Sequence, residues 1–144
     1  MLVVWQPQTQ TTLATGATYR CYPEQYMDVD KYGQIIAELV TRALAAGAKL
    51  EFHLETALTA TEMEAPGGGR SGWADCGNSP AVLDNSGGGT PLPFVGDVIA
   101  NRVDGNPPQR RMIRWAIKNI GAAAATFDFN VLVDVRDPDC SCGR

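Results

Sequence analysis

The chain holds a single histidine, His53, in 144 residues, and that scarcity bounds its chemistry. Any Ser-His-Asp or Cys-His mechanism has to run through His53, with Cys76, Ser71 or Ser79 as the nucleophile. None of the three stands in a Gly-x-Ser-x-Gly elbow. The glycine-rich Gly67-Gly-Gly-Arg-Ser-Gly72 lacks the Gly-Lys-Ser/Thr ending that lets backbone amides cradle a phosphate, so it reads as a loop and not a nucleotide site. No basic run is present. A net charge of -4 disfavours nucleic acid, whose binding needs clustered Lys and Arg to displace counterions. A long apolar run is missing as well: Leu2-Val-Val-Trp5 has no positive lead and gives way to Gln, Pro and Thr, which excludes a secretory signal or a membrane span there and leaves synthesis in the cytoplasm as the expectation. The four cysteines, Cys21, Cys76, Cys140 and Cys142, lack the paired C-x-x-C spacing of a zinc site. In a reducing compartment they read as ordinary thiols. Two sharper readings remain: a tail thiol that cross-links to a neighbouring subunit in an oxidising medium, and a metal held by His53, Cys76 and the tail cysteines. The expectation is no catalytic residue, no metal and no cofactor.

What is present is alternation. In Thr126-Phe-Asp-Phe-Asn-Val-Leu-Val-Asp-Val-Arg136, residues Phe127, Phe129, Val131, Val133 and Val135 fall on one face and Asp128, Asn130, Asp134 and Arg136 on the other. Only a strand has that period of two. In Arg111-Met-Ile-Arg-Trp-Ala-Ile-Lys118, Ile113, Trp115 and Ile117 alternate with Arg114, Ala116 and Lys118, and the two runs read together as a β-hairpin closed by a small-residue corner. A sheet with one dry face needs a second layer to cover it. One domain of this length buries roughly 68–70% of its unfolded surface and folds without a staple. The fold class expected is therefore all-β, an antiparallel sandwich.

Elsewhere the signals vary in clarity. Lys49-Leu-Glu-Phe-His-Leu-Glu-Thr56 is a strand with Leu50, Phe52 and Leu54 inward. Gln34 to Ala46 is ambiguous: Ile35, Ile36, Leu39, Val40, Ala43 and Leu44 fit a helical stripe ended by Gly47, and periodicity favours helix. Residues 1–25 are rich in Thr and Gln and bounded by Pro7 and Pro23, which suits edge strands and an arm that leaves its own domain. Met63 to Pro93 reads as a long Gly- and Pro-rich loop stretch, Phe94 to Ala100 as extended, and Asp104-Gly-Asn-Pro-Pro108 as a turn. The domain reading is an arm at 1–25, a sandwich at 26–137 and a flexible cysteine-containing tail at 138–144. No solenoid repeat is visible.

The order of these elements carries a resemblance. A lead-in at Met27-Asp-Val-Asp-Lys-Tyr-Gly33, the apolar run from Gln34, the turn Ala45-Ala-Gly-Ala48, the strand from Leu50, a loop ending in Trp73 and the terminal pair of strands resemble the small jelly-roll or β-sandwich accessory proteins of tailed bacteriophages. Those proteins are capsid decoration proteins and modules of tails and fibres. The resemblance implies that Gln34 to Arg42 is a strand, that the fold is a jelly-roll-like sandwich, and that the protein is a structural virion component. Implied partners are the major capsid protein or other virion proteins together with copies of itself, a trimer being favoured, with no membrane and no nucleic acid. The alternative is a carbohydrate- or host-surface-binding module of a tail or fibre.

Candidate contact residues follow from that reading. Leu2, Val4, Trp5 and Leu13 would dock the arm on a neighbour, and Arg70 and Leu92 sit in the Gly-rich loops at about 64–72 and 84–93. Trp73 either caps the open end of the sandwich or is an exposed anchor for a neighbour or a sugar ring. Glu51 and Glu55 invite a glycosidase reading, but four residues of strand span about 13 Å, beyond the roughly 5–9.5 Å such carboxyl pairs require. The ladder Lys49, Glu51, His53, Glu55 is expected to pair across strands with Arg114 or Lys118.

Overall fold

Strict alternation in Lys49–Ala57, with Leu50, Phe52 and Leu54 fully buried between half-exposed polar neighbours, sets the pattern for the whole molecule. The computed structural model describes residues 2–57, 73–87, 93–101 and 111–136. Its strands are β1 (Leu2–Leu13), β2 (Thr18–Arg20), β3 (Met27–Asp28), β4 (Gln34–Thr41), β5 (Lys49–Ala57), β6 (Ala74–Asp84), β7 (Phe94–Asn101), β8 (Met112–Asn119) and β9 (Ala125–Arg136), with one 3-10 turn at Pro23–Gln25. They form two antiparallel sheets, ordered β1-β9-β4-β7 and β2-β8-β5-β6, with β3 also paired to β8. The first strand lies beside the last, and the chain changes sheets at every connection except those between β2 and β3 and between β5 and β6. Counting β2 and β3 as one interrupted strand, this is the eight-stranded double-sheet jelly roll.

The inner faces meet in an aromatic core. Trp115 on β8 stacks on Tyr19 of β2 at 5.5 Å and meets Phe129 of β9 edge-on at 5.6 Å, while Phe127 packs against Phe129. Each fully buried side chain of this size contributes about 1.5–3 kcal/mol, and each aromatic pair roughly 0.5–1.5 kcal/mol more. Sheet-to-sheet approach is closest where β6 faces β7. A Cβ on Gly96 would lie 2.8 Å from Leu83 Cδ1 and 2.9 Å from Ala81 Cβ, so only glycine fits.

Four expectations are corrected. The final two strands are not a hairpin: β8 pairs with β2, β3 and β5, and β9 with β1 and β4, so their dry faces confront each other across the core. The corner Gly121 to Ala124 turns the chain from one sheet to the other. Buried Asn119 holds it, its amide donating to the carbonyls of Leu13 and Ala123 and its oxygen accepting from Gly121 N, each at 2.9 Å. The helical stripe over Gln34 to Ala46 is overturned in favour of the strand implied by the resemblance. β4 is central in its sheet, and Val40 and Thr41 on opposite faces are both buried, which masks the period of two. The Met63 to Pro93 stretch contains an eleven-residue strand, β6. It was hidden by Gly77 and Pro80, which sit where the register with β5 jumps from Phe52↔Ala81 to Leu54↔Cys76. Finally, residues 2–20 do not leave the domain. β1 runs along β9 for its whole length, and its two register shifts, Val4/Gln6 and Gln6/Thr9, accommodate Pro7 on an edge strand.

Candidate interaction surfaces

Two of the proposed arm contacts are buried. Trp5 is only 7% exposed and its indole Nε1 donates to the carbonyl of Gln25 at 2.7 Å, while Leu13 joins the core beneath the turn held by Asn119. The cause is that β1 is a sheet strand whose inward positions must be filled, so neither residue reaches a neighbour. Leu2 and Val4 are different: at 65% and 57% exposure they stand in solvent on the same strand. Arg70, Leu92, Cys140 and Cys142 lie outside the described residues, as do the loop at 64–72, residues 88–92 and the tail at 138–144.

Trp73 precedes β6 and folds back on the outer face of the β2-β8-β5-β6 sheet. It is half-buried, meets Tyr26 edge-on at 5.0 Å, and carries the Arg114 guanidinium 4.1 Å from its ring centroid. Arg114 is held in turn: its Nε donates to Glu55 Oε1 at 2.6 Å and an Nη donates to the Tyr26 hydroxyl at 3.3 Å. Arg20 donates to the same carboxylate through Nε at 3.0 Å and Nη2 at 3.4 Å. Burial pushes the Glu55 carboxyl up, but the Arg20 hydrogen bond and the charge and hydrogen bond of Arg114 outweigh it and hold the group below its ordinary value. The expected ladder is therefore present, with Glu55 opposite Arg114 and Glu51 opposite Lys118 across β5 and β8. The sequence carries no signal for Arg20 and Tyr26, because their place over β8 depends on how short β2 and the 3-10 turn dock there.

His53 sits on this outer face between two carboxylates, with Nε2 2.5 Å from Glu51 Oε1 and Nδ1 3.3 Å from Asp75 Oδ2. Cys76 does not join it. Paired with Leu54, Cys76 points to the core, while His53 points to the opposite face. Burial, reinforced by the negative charges of Asp75 and Glu55, pushes the Cys76 thiol up to about 12, far from the thiolate a nucleophile or a metal ligand needs. Among the described residues no group of three His, Cys, Asp or Glu side chains gathers as a cation site. The outer face thus offers neutralised charge and a tryptophan already engaged.

No protein-family model matches the sequence, and no curated protein sequence matches it. Solved structures do. A structure of the Gt strain of infectious bursal disease virus is similar at a TM-score of 0.55 and 12% identity, over 95% of this chain and 32% of that one. VP2 of the same virus, a capsid protein crystallised as a subviral particle, is similar at 0.55 and 13%, with the same coverage. The chain spans about a third of these neighbours. A carbohydrate-binding module of a Cellvibrio mixtus lichenase, in complex with cellotriose, is matched over 91% of this chain and 95% of that one at a TM-score of 0.43 and 12% identity. At such identities the likeness is one of fold: a two-sheet sandwich of the kind found in a viral capsid protein.

Proposed function

We propose that the chain is a structural virion protein, a decoration or cement module that covers a phage shell through contacts of its sandwich. One observation carries the reading. A jelly roll whose core is filled by its own aromatic side chains leaves Leu2, Val3 and Val4 exposed in a row on edge strand β1. An apolar edge of that kind is a liability for a monomer unless another surface covers it. The fold likeness to a viral capsid protein supports the reading without extending to partner or position. Oligomerisation as a symmetric cluster fits it, since many weak contacts add up when subunits are held in register.

The carbohydrate-recognition alternative would need Trp73 as a stacking platform. A sugar on the face taken by Arg114 would have to displace a guanidinium already paired to Glu55, which disfavours that route. The test is to fractionate particles from cells that express the chain and image them by electron microscopy. Density for the sandwich at regular lattice positions is expected; recovery of the chain only in particle-free fractions refutes the reading. Quenching of Trp73 fluorescence that responds to glycans would favour the alternative.

A further inference from the structure

The two outer faces of the sandwich are built differently, and the contrast points to a docking surface. On the β2-β8-β5-β6 sheet, charges meet charges of opposite sign: Glu55 with Arg20 and Arg114, Glu51 opposite Lys118, Lys49 near Asp84. On the β1-β9-β4-β7 sheet the register assembles something else. One row across the strands runs Leu2, Asp134, Ile36, Ile99. The next runs Val4, Leu132, Glu38, Asp97, and beyond it Val40 stands opposite Val95. Leu2, Val4, Val95 and Ile99 are exposed, so the face is apolar at both edges. In its middle row two carboxylates, Glu38 and Asp97, stand directly opposite each other.

Like charges directly opposite on neighbouring strands are destabilising. Burial of Glu38, followed by the hydrogen bond and charge of Asp97, raises its carboxyl above the ordinary value, the behaviour of a pair with no cation beside it among the described residues. The polar members of the flanking rows are already engaged, Asp134 by Arg136 and Asn130 by Arg42, and the rest of those rows is apolar. An occupant that satisfies both features presents apolar side chains around one Lys or Arg. A second copy meeting this face by a two-fold axis brings acid pair against acid pair, which charge disfavours.

Resting on the reading of the chain as a shell-covering protein, we propose that the outer face of the β1-β9-β4-β7 sheet is the surface that docks on the shell, against an apolar patch with a central basic side chain that reaches between Glu38 and Asp97. The chemistry is that of a desolvated ion pair ringed by apolar contact, in which loss of one partner slows association little and speeds dissociation.

Particles stripped of the chain and re-bound with purified protein provide the test, with fold checked by circular dichroism. Asp97→Lys and Val95→Asp alter exposed positions of edge strand β7, and Val82→Asp alters an exposed position of β6 on the other sheet. The proposal expects wild-type binding, a loss of roughly thirtyfold or more for Asp97→Lys, a comparable loss for Val95→Asp, and full binding for Val82→Asp. If wild type binds and the two β7 variants bind as well, or only Val82→Asp fails, this surface is wrong and the virion reading stands. If wild type does not bind stripped particles, the virion reading itself falls and this inference with it. Self-association of the free chain that Asp97→Lys abolishes would put a second copy on the face and overturn the proposal.

Discussion

Replacing Glu55 by Gln removes one negative charge from between two guanidiniums while keeping the side chain's shape and one acceptor oxygen. The magnitude follows from how unequally the two arginines are exposed. The Arg114 side chain is 11% exposed and that of Glu55 is 12%, so this pair is nearly desolvated, and breaking such a pair from one side costs about 3–5 kcal/mol when burial is complete. Arg20 is far more exposed, and solvent screening limits its share to less than about 1 kcal/mol. Since Gln retains one hydrogen bond, a loss of about 2–3 kcal/mol at pH 7 is expected. The pH dependence sharpens the test. The Glu55 carboxyl lies below its ordinary value when folded, so its contribution is complete above the pKa of the unfolded chain and is lost as pH falls through the folded value. Urea unfolding of wild type and Glu55→Gln, followed by circular dichroism from pH 7 to about pH 3, should show the two stabilities converging as the wild-type carboxyl protonates. A gap below about 1 kcal/mol at pH 7, or one that stays constant on acidification, refutes the reasoning.

Asn119→Ala deprives the Leu13 and Ala123 carbonyls and the Gly121 amide of their partner at once, and should cost about 3 kcal/mol in urea unfolding; a loss under about 1 kcal/mol would mean that the corner is not held by this side chain. Gly77→Ala places a Cβ 2.5 Å from the Ile99 carbonyl oxygen at a φ of +87°. A loss beyond the roughly 1–3 kcal/mol of backbone strain alone is expected, against a near-neutral Gly87→Ala, whose Cβ meets nothing within 4 Å; equal melting of the two variants would refute it. In a Cys140→Ser/Cys142→Ser chain, burial has pushed the Cys21 and Cys76 thiols up to about 11 and about 12. Both should resist a thiol-specific reagent at neutral pH and react on unfolding, so reaction of the native protein within seconds would contradict their burial.

The fold was legible where one face is dry and the other wet. β5 alternates without interruption, and β8 and β9 each show a core face, so the pattern alone points Phe52, Trp115 and Phe129 inward, where they are buried. Alternation tells which face of a strand is dry but not which strand lies beside it, so it suggests a hairpin for β8 and β9, which instead face each other across the sandwich. β4 was obscured for the opposite reason: Ile36 and Val40 make its outer face apolar too, and a strand apolar on both faces imitates a helical stripe. The inward position of Trp5 is not legible because Leu2-Val-Val-Trp5 carries no contrast from which to tell it.

The surface was less legible still, because a net charge of -4 does not say where the charges meet. Glu55 and Glu38 are equivalent as letters, each an outward acid on an alternating strand, yet register sets one against arginines and the other against Asp97. That difference separates stability from docking and can be measured on the free protein. Because Glu38 lies above its ordinary value in the folded chain, its favourable contribution is present below the unfolded pKa and is lost as pH rises through the folded one. Asp97→Asn relieves the opposition, so the variant should equal or exceed wild type in stability at pH 7, by roughly a few tenths of a kcal/mol, and the gap should close as pH falls to about 4. A face retained for binding at some cost in stability has that signature. An Asp97→Asn chain that is less stable than wild type at pH 7 would mean that the two carboxylates are already reconciled within the fold, and the reason to seek a cation between them would be gone.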